Sequence, residues 1–355
     1  MNHKQLIEYF SKVMQTIFLK LGSAKNLDSD KASQKLIGDI LTLINTMGIK
    51  SSEVMPIELE KAYREAVDNA EKDLKAQNVR LKEIDPLDLL KKKIHLAAVK
   101  KLVNNTMTDI RKSITRAKAD AKVKISRVVE RVREDLSKGL IKGTLNKVMS
   151  RRLTKMFVEE GITGFVTSDN KNIRVEKYAA TVVRTKLREA NTQGNVNRYK
   201  EADVNLVKIS SHHPSCGKCA RYAGKVVSLT GEHKGFMSVK DIPLPPFHPN
   251  CRHTTAPYVI EYKTEEEIQQ AKNDWKSFQP NQEVRTAAQQ NAYKKEQDIR
   301  RKANDEQKQY EKYKAVLGDK APKTIGAFRR IKRAGGKSYK ELQLAFRRGN
   351  AELKA

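Results

Sequence analysis

HHPSCGKC (212–219) and PPFHPNCRH (245–253) together hold every cysteine of this 355-residue chain: Cys216, Cys219 and Cys251. They also hold His212, His213, His248 and His253; His233 lies between them, and only His3 and His95 lie elsewhere. Cys216-x2-Cys219 places two thiols on one tight turn, and His248-x2-Cys251 repeats the spacing with one nitrogen and one sulfur. Gly217 and Pro249 suit backbone that folds sharply around an ion. Three thiolates and one imidazole make a closed tetrahedral set, the structural kind of zinc site, with no position left for water. The expectation is one structural zinc on Cys216, Cys219, His248 and Cys251. His212, His213 and His253 stand by as additional ligands or as partners of the ligands. The plainer reading takes the cysteines as small buried residues, but their concentration in one window favours a metal. A catalytic cysteine would need an exposed thiolate with an orienting third group, and no such arrangement is singled out.

Outward from this window the composition turns strongly basic. Lys plus Arg is 71 against 42 for Asp plus Glu, a net charge of +29. Such a balance points to work beside a polyanion, nucleic acid or an anionic surface; the alternative is a solvated surface kept apart by repulsion. With 38% hydrophobic and only 6% aromatic residues, thin helical packing layers fit better than one large core. No apolar run approaches the length that spans a bilayer. Three cysteines make no disulfide framework, which favours a reducing compartment.

Helical periodicity dominates up to about Ala190. Leu6, Ile7, Phe10, Val13, Met14, Ile17, Phe18 and Leu21 form one face of an N-terminal amphipathic helix. It lacks the cleavage site of a signal peptide, and its stripe is expected to pack on a partner. Asp28-Ser29-Asp30 offers a cap for a helix that Gly48 closes; Pro56 then opens another through Leu59, Ala62, Ala66 and Ala70. Pro86 is placed to start a further helix through Leu87, Leu90, Ile94 and Val99. Ala117 to Met156 is dense in cations, including Lys138, Lys142, Lys147 and Arg152. Gly161 and Gly164 interrupt, and GFVTSDNKNIRV reads as weakly β-like with a turn at Asp169-Asn170. A helix over 178–202 follows, and then VNLVKIS, whose alternation predicts a strand leading into the first His/Cys stretch. Past Val259 come a polar helix and a basic stretch of short helices. Arg329, Arg330, Lys332, Arg333, Arg347 and Arg348 there are candidate nucleic-acid contacts. The fold expected is mainly α, with a small α+β zinc-knuckle-like module and an elongated helical N-terminal region. Its expected divisions are 1–158, helical and contacting DNA; 159–260, carrying the cluster; and 261–355, basic and helical.

Thr264-Glu265-Glu266-Glu267 contains the Glu-x-Glu spacing of ADP-ribosyltransferases, but equally makes an acidic first helical turn behind a Thr cap. No partner Arg strand or Ser-Thr-Ser motif precedes it, and no Walker sequence is present, so the chain is expected not to be an enzyme.

The order Y-A-x-x-V-V-R-T on a helix, a strand ending in S-x-H, a Cys/His turn, G-K-V and P-P-F-H-P-N-C-R-H resembles the phage minor capsid protein 2 family. These are head morphogenesis proteins related to the Mu-type minor head proteins. The residues are Tyr178, Arg184, Thr185, Ser211, His212, Cys216, Cys219, Gly224-Lys225-Val226 and Pro245 through His253. The resemblance covers about Glu159 to Val259, and Tyr310 to Asn350 is similar to the C-terminal part of such proteins. A Gly-aromatic pair common in the family before the Tyr178 helix is here Asn172-Ile173. The resemblance implies a structural virion protein inside the phage head near the portal, assembled in the host cytoplasm and acting in head assembly or genome ejection. The partners it implies are the portal protein, packaged double-stranded DNA and the major capsid or scaffolding protein, with no membrane. Two other readings remain: a zinc-stapled, sequence-independent nucleic-acid-binding protein, and a phage-delivered toxin or ADP-ribosyltransferase.

Overall fold

The computed structural model describes residues 1–25, 29–81, 88, 91–137, 150–151, 154–155, 158–159, 164–166 and 172–353. Asp28, the helix start at Pro86 with Leu87 and Leu90, the cations Lys138, Lys142, Lys147 and Arg152, Met156, Gly161 and the Asp169-Asn170 turn lie outside them. The described chain is mostly helical with a small four-stranded sheet, in line with the expected class. Its helices are α1 (His3–Gly22), α2 (Asp30–Ala76), α3 (Lys93–Ser137), α4 (Val175–Glu201), the single turn α5 (Gly217–Ala220), α6 (Glu265–Lys276), α7 (Ala287–Leu317), α8 (Ile325–Ala334) and α9 (Lys337–Glu352). The strands are β1 (Gly164–Val166), β2 (Asn172–Arg174), β3 (Leu206–Ile209), β4 (Val226–Ser228), β5 (Met237–Ser238) and β6 (Thr255–Pro257). Among the described residues no helix is long and apolar enough to cross a membrane.

The chain forms two compact units, each discontinuous in sequence. One comprises Met1–His3, Ser52–Asp109 and Ala180–Gln297; the other comprises Lys4–Ser51, Ile110–Ala179 and Asp298–Ala355. Both therefore cross the divisions at 158 and 260 that composition marks.

The first unit is built on the sheet, in strand order β5-β4-β3-β6. Leu206, Val207 and Ile209 of β3 are buried while Lys208 is exposed, so the alternation read from VNLVKIS is broken only at Leu206. Around them pack Val226 and Val227 of β4, Val196 and Tyr199 of α4, Ala70 and Leu74 of α2, and Trp275 of α6. Burial of each such side chain stabilises by roughly 1.5–3 kcal/mol, so this layer holds the sheet although its strands are very short. Helices α2 and α4 approach closely at Gly194, where an added Cβ would stand 2.6 Å from the Tyr63 carbonyl oxygen. Beside that contact a buried polar chain crosses three helices. Asn197 Nδ2 donates to the Tyr63 hydroxyl at 2.6 Å, and that hydroxyl lies 2.8 Å from His95 Nδ1. His95 Nε2 lies 2.8 Å from Glu201 Oε2, and Lys92 pairs with the same carboxylate at 3.0 Å. Because every member finds a partner, the network fixes helix register at little desolvation cost.

In the second unit Leu6, Phe10, Val13, Met14, Ile17 and Leu21 of α1 are all buried within the chain itself. This corrects the expectation that the face waits for a partner: Phe10 is 1% and Ile17 2% exposed. Only Ile7 and Phe18, at its margin, stay half-buried. Lys20 ties α1 to Asp39 of α2 at 2.8 Å.

A second correction concerns α2, which runs without a break through both Gly48 and Pro56. In isolation the two residues would cost a helix roughly 1 and 3 kcal/mol. Met47, Val54, Met55, Leu59 and Tyr63 are all nearly or fully buried along it, and their burial outweighs the local penalty. Gly48 also serves packing, since a Cβ there would lie 3.2 Å from Ile114 of α3. Strands β1 and β2 pair antiparallel, Phe165 opposite Ile173, so the β-like piece is a two-stranded ladder. The basic stretch folds as α8 and α9, as expected, on the end of α7. Phe328 is fully buried between Tyr310 and Tyr313, and Tyr313 stacks on Phe346 at 4.3 Å.

Candidate metal centre

Sheet topology explains how a cluster split across 220–247 comes together. Strand β3 is central, with Lys208 opposite Val226 of β4 and Ile209 opposite Thr255 of β6. The segment leaving β3 and the segment entering β6 therefore meet at one end of the sheet. Ser210 N–H donates to Thr254 O at 2.9 Å, Thr254 N–H to Ser210 Oγ at 2.9 Å, and Gly224 N–H to Ile209 O at 2.9 Å.

Each x2 spacing is a closed turn. Cys216 caps α5, its sulfur accepting from Cys219 N–H at 3.4 Å. Cys251 N–H donates to His248 O at 3.0 Å, and Asn250 takes the left-handed conformation (φ 66) that Asn tolerates better than most residues. His248 Nδ1 lies 2.7 Å from Pro249 O, which fixes the tautomer with the proton on Nδ1 and leaves the Nε2 lone pair free. That Nε2 lies 3.2 Å from Cys216 Sγ and 3.0 Å from Cys219 Sγ. Cys219 Sγ lies 3.8 Å from Cys251 Sγ, and Cys251 Sγ 3.7 Å from His253 Nδ1.

The donors form two triads that share Cys219. Cys216, Cys219 and His248 are one, Cys219, Cys251 and His253 the other, and within each all donor atoms lie within 4.8 Å of one another. The bond lengths of a tetrahedral zinc site imply edges of about 3.8 Å between two sulfurs and about 3.6 Å between sulfur and nitrogen. The Cys219–Cys251 contact matches the sulfur–sulfur edge, the two contacts of His248 are about 0.4–0.6 Å shorter than the sulfur–nitrogen edge, and the Cys251–His253 contact is about 0.1 Å longer. Of the four expected ligands, Cys216, Cys219 and His248 form one triad, and Cys251 belongs to the other through Cys219. His253 joins them as a fifth donor, 1% exposed. His212 packs on His253 with ring centroids 4.2 Å apart, while His213 is exposed.

The electrostatics act in opposite directions on the two buried thiols. The Cys251 thiol is held far below its ordinary value, first by hydrogen bonding from Cys219 and further by His253 and the main-chain N–H of Phe247 and His253, against burial. Cys219 is pushed up by the same contact with Cys251. Burial, then the neighbouring His253 and Arg252, lowers the basicity of His212 and keeps its imidazole neutral. Among the described residues, His212 Nδ1 and His253 Nε2 are buried without a hydrogen-bond partner.

Sequence reasoning missed the surroundings of the first turn. Arg285 Nη1 donates to Ser215 O at 3.2 Å, and Arg221 Nε donates to Gln282 O at 3.0 Å. Phe278 packs against Tyr222, which stacks on Phe247. The Glu-x-Glu run takes the plainer of its two readings, because Thr264 and Glu267 form a reciprocal capping box at the start of α6.

The six basic candidates lie on α8 and α9. Arg329 Nε donates to Glu306 Oε2 at 3.0 Å, Arg333 approaches the same carboxylate at 3.8 Å, and Lys332 Nζ donates to Gln309 Oε1 at 2.7 Å. Arg329 and Lys332, half-buried, thus clamp α8 to α7, whereas Arg330, Arg333, Arg347 and Arg348 are exposed.

A family model described as Phage minor capsid protein 2 matches residues 31–325. No curated protein and no solved structure matches the chain.

Proposed function

The chain belongs to the phage minor capsid protein 2 family, and we propose that it serves in the phage head as a zinc-stapled structural protein lying against packaged double-stranded DNA and associated with the portal. Head assembly, genome delivery or both would be the steps it serves, with no catalytic turnover. The observation that carries the DNA part is the exposure of Arg330, Arg333, Arg347 and Arg348 on two neighbouring short helices of a +29 chain. Such a surface gains affinity by releasing counterions from phosphate and needs no base contact.

Cys216, Cys219, His248 and Cys251 would hold the zinc, with His253 beside Cys251. Bound zinc supplies cross-linking, because its binding energy becomes folding energy. The chain's own residues supply the rest. The α5 cap and the His248–Cys251 turn aim the sulfurs, and Pro249 O orients His248. The sheet end locks both turns to one frame, in a unit whose strands are too short to do so alone.

The test is DNA binding by the full chain as a function of salt. Changing the four exposed arginines to Gln leaves the Arg329 and Lys332 clamp intact. It should reduce the slope of log K against log salt by about 3 to 4. An unchanged slope, or strong preference for one sequence, refutes the assignment. Mass spectrometry of purified virions tests presence in the particle, and cross-linking within heads tests the portal contact.

A further inference from the structure

The segment between α6 and α7 runs across the more accessible of the two triads. Its residues from Gln279 to Thr286 are exposed, with Arg285 as the exception. The Arg285 side chain is 14% exposed and grips Glu283 in a fork, Nε to Oε1 at 2.8 Å and Nη2 to Oε2 at 2.5 Å. The guanidinium also reaches Ser215 O, one residue before Cys216. On the other side of Cys216, a Cβ built on Gly217 would stand 3.2 Å from Arg285 Nη2 and 3.4 Å from Glu283 Oε2. The ion pair thus lies flat on the cysteine turn, and the missing side chain of Gly217 makes room for it. Two further bonds hold the segment down. Arg221, from just beyond the turn, donates to the carbonyls of Gln282 and Pro280. The ends are anchored by Phe278 against Tyr222 and by Thr286, whose Oγ1 accepts from Gln289 N–H at 3.3 Å.

The cluster is asymmetric beneath this cover. Cys219, Cys251 and His253 are buried, whereas Cys216 and His248 are half-buried. An ion entering or leaving would break first with the half-buried pair, and the segment lies against the Cys216 side of that pair. We infer that residues 279–286 form a strap that slows metal exchange at the Cys216–His248 edge, with Arg285, braced by Glu283, as the positioning residue that holds it shut. The inference rests on the zinc reading above. Nothing in the sequence of the two His/Cys stretches specifies the strap, because it grips mostly through main-chain carbonyls and a glycine.

The experiment uses the full chain loaded with cobalt(II), in wild-type form and as Arg285→Ala, Arg285→Lys and Gly217→Ala. Release to excess chromogenic chelator should be about tenfold faster for Arg285→Ala and Gly217→Ala, and intermediate for Arg285→Lys. Cobalt stoichiometry and the tetrahedral absorption bands should be unchanged in all four, since the ligands are intact. A second readout needs no added metal: the iodoacetamide alkylation rate of each cysteine in protein as purified, mapped by mass spectrometry. Cys216 should react faster in Arg285→Ala, with Cys251 unaltered. Equal release and equal Cys216 alkylation overturn the strap, as does an altered cobalt spectrum, which would make Arg285 part of the frame of the site. A wild-type chain that takes up no cobalt overturns the metal reading, and the exchange role with it. Cys216 alkylation that still responds to Arg285 would then show a cover without an ion.

Discussion

Replacing Gly194 with Ala sets two physical effects against each other. Gly194 lies inside α4, where Ala is favoured over Gly by about 1 kcal/mol on intrinsic helix propensity alone. The new Cβ would stand 2.6 Å from Tyr63 O and 2.9 Å from Ala66 Cβ. Ordinary contacts of this kind begin about 0.8 Å further out than the first, and a helix carbonyl cannot swing aside as a side-chain tip can. Helices α2 and α4 must then part, which stretches the Asn197–Tyr63–His95–Glu201 chain that starts within one turn of Gly194. Overpacking of this kind costs about 1–3 kcal/mol, and a loosened buried hydrogen bond adds roughly 1 kcal/mol. Net destabilisation of about 1–3 kcal/mol should result, a fall in thermal midpoint of about 2–12 °C. Gly38→Ala is the control: that glycine is also helical, but nothing lies within 4 Å of its added Cβ. It should therefore be stabilised by about 0.5–1 kcal/mol. Thermal and urea unfolding followed by circular dichroism decide the sign. A Gly194→Ala chain as stable as wild type would refute the close approach of α2 and α4.

Cys219→Ala removes the residue common to both triads, so zinc by elemental analysis should fall from about one per chain to none, with a thermal midpoint at least about 5 °C lower; retained zinc would show that Cys219 is dispensable. Phe10→Asp places a carboxylate at a site 1% exposed, which should cost at least about 3 kcal/mol and leave α1 open to limited proteolysis; a protease-resistant variant would return that face to the surface. Burial pushes the Glu201 carboxyl up, but hydrogen bonds from His95 and Lys92 outweigh it and hold the group below its ordinary value of 4.5. A lowered carboxylate pKa gives stability that is complete above about pH 4.5 and is lost as pH falls through the folded value. Glu201→Gln should therefore flatten the acid limb of the stability curve in urea titrations at several pH values; an unaltered limb would refute the coupling.

The cluster was legible because metal spacing is local: two x2 turns state their own geometry whatever lies between them. His253 could be named as a candidate but not placed, since only the meeting of β3 and β6 brings the Cys251–His253 segment up to Cys219. The α1 stripe was equally clear, yet a stripe does not say what covers it, and here the chain covers it. Gly48 and Pro56 misled because local propensity is a weak prior beside the burial of Met47, Met55 and Tyr63. Strands β4 and β5, three and two residues long, fall below any periodic signal. The Tyr63–His95–Glu201 chain and the Arg285 strap join residues far apart in sequence, and no short pattern announces either. A lone histidine outside the cysteine window was the one hint of the first.

The interleaving of the two units along the chain has a consequence for biosynthesis. Each draws on three separate stretches, and the last begins only at Ala180 in one and Asp298 in the other. A ribosome that has made the first half of the protein has therefore completed neither. The second unit waits for Phe328 and Leu353, which help fill its small aromatic core. Until they emerge, Tyr310 and Tyr313 lack the rings and side chains that cover them, and a prematurely stopped product would carry both exposed. Removing Ala321 to Ala355 to delete cations would open that core as well, which is why the arginine substitutions above are the cleaner instrument. A truncation from the C-terminal side therefore takes material from a core and not from a tail.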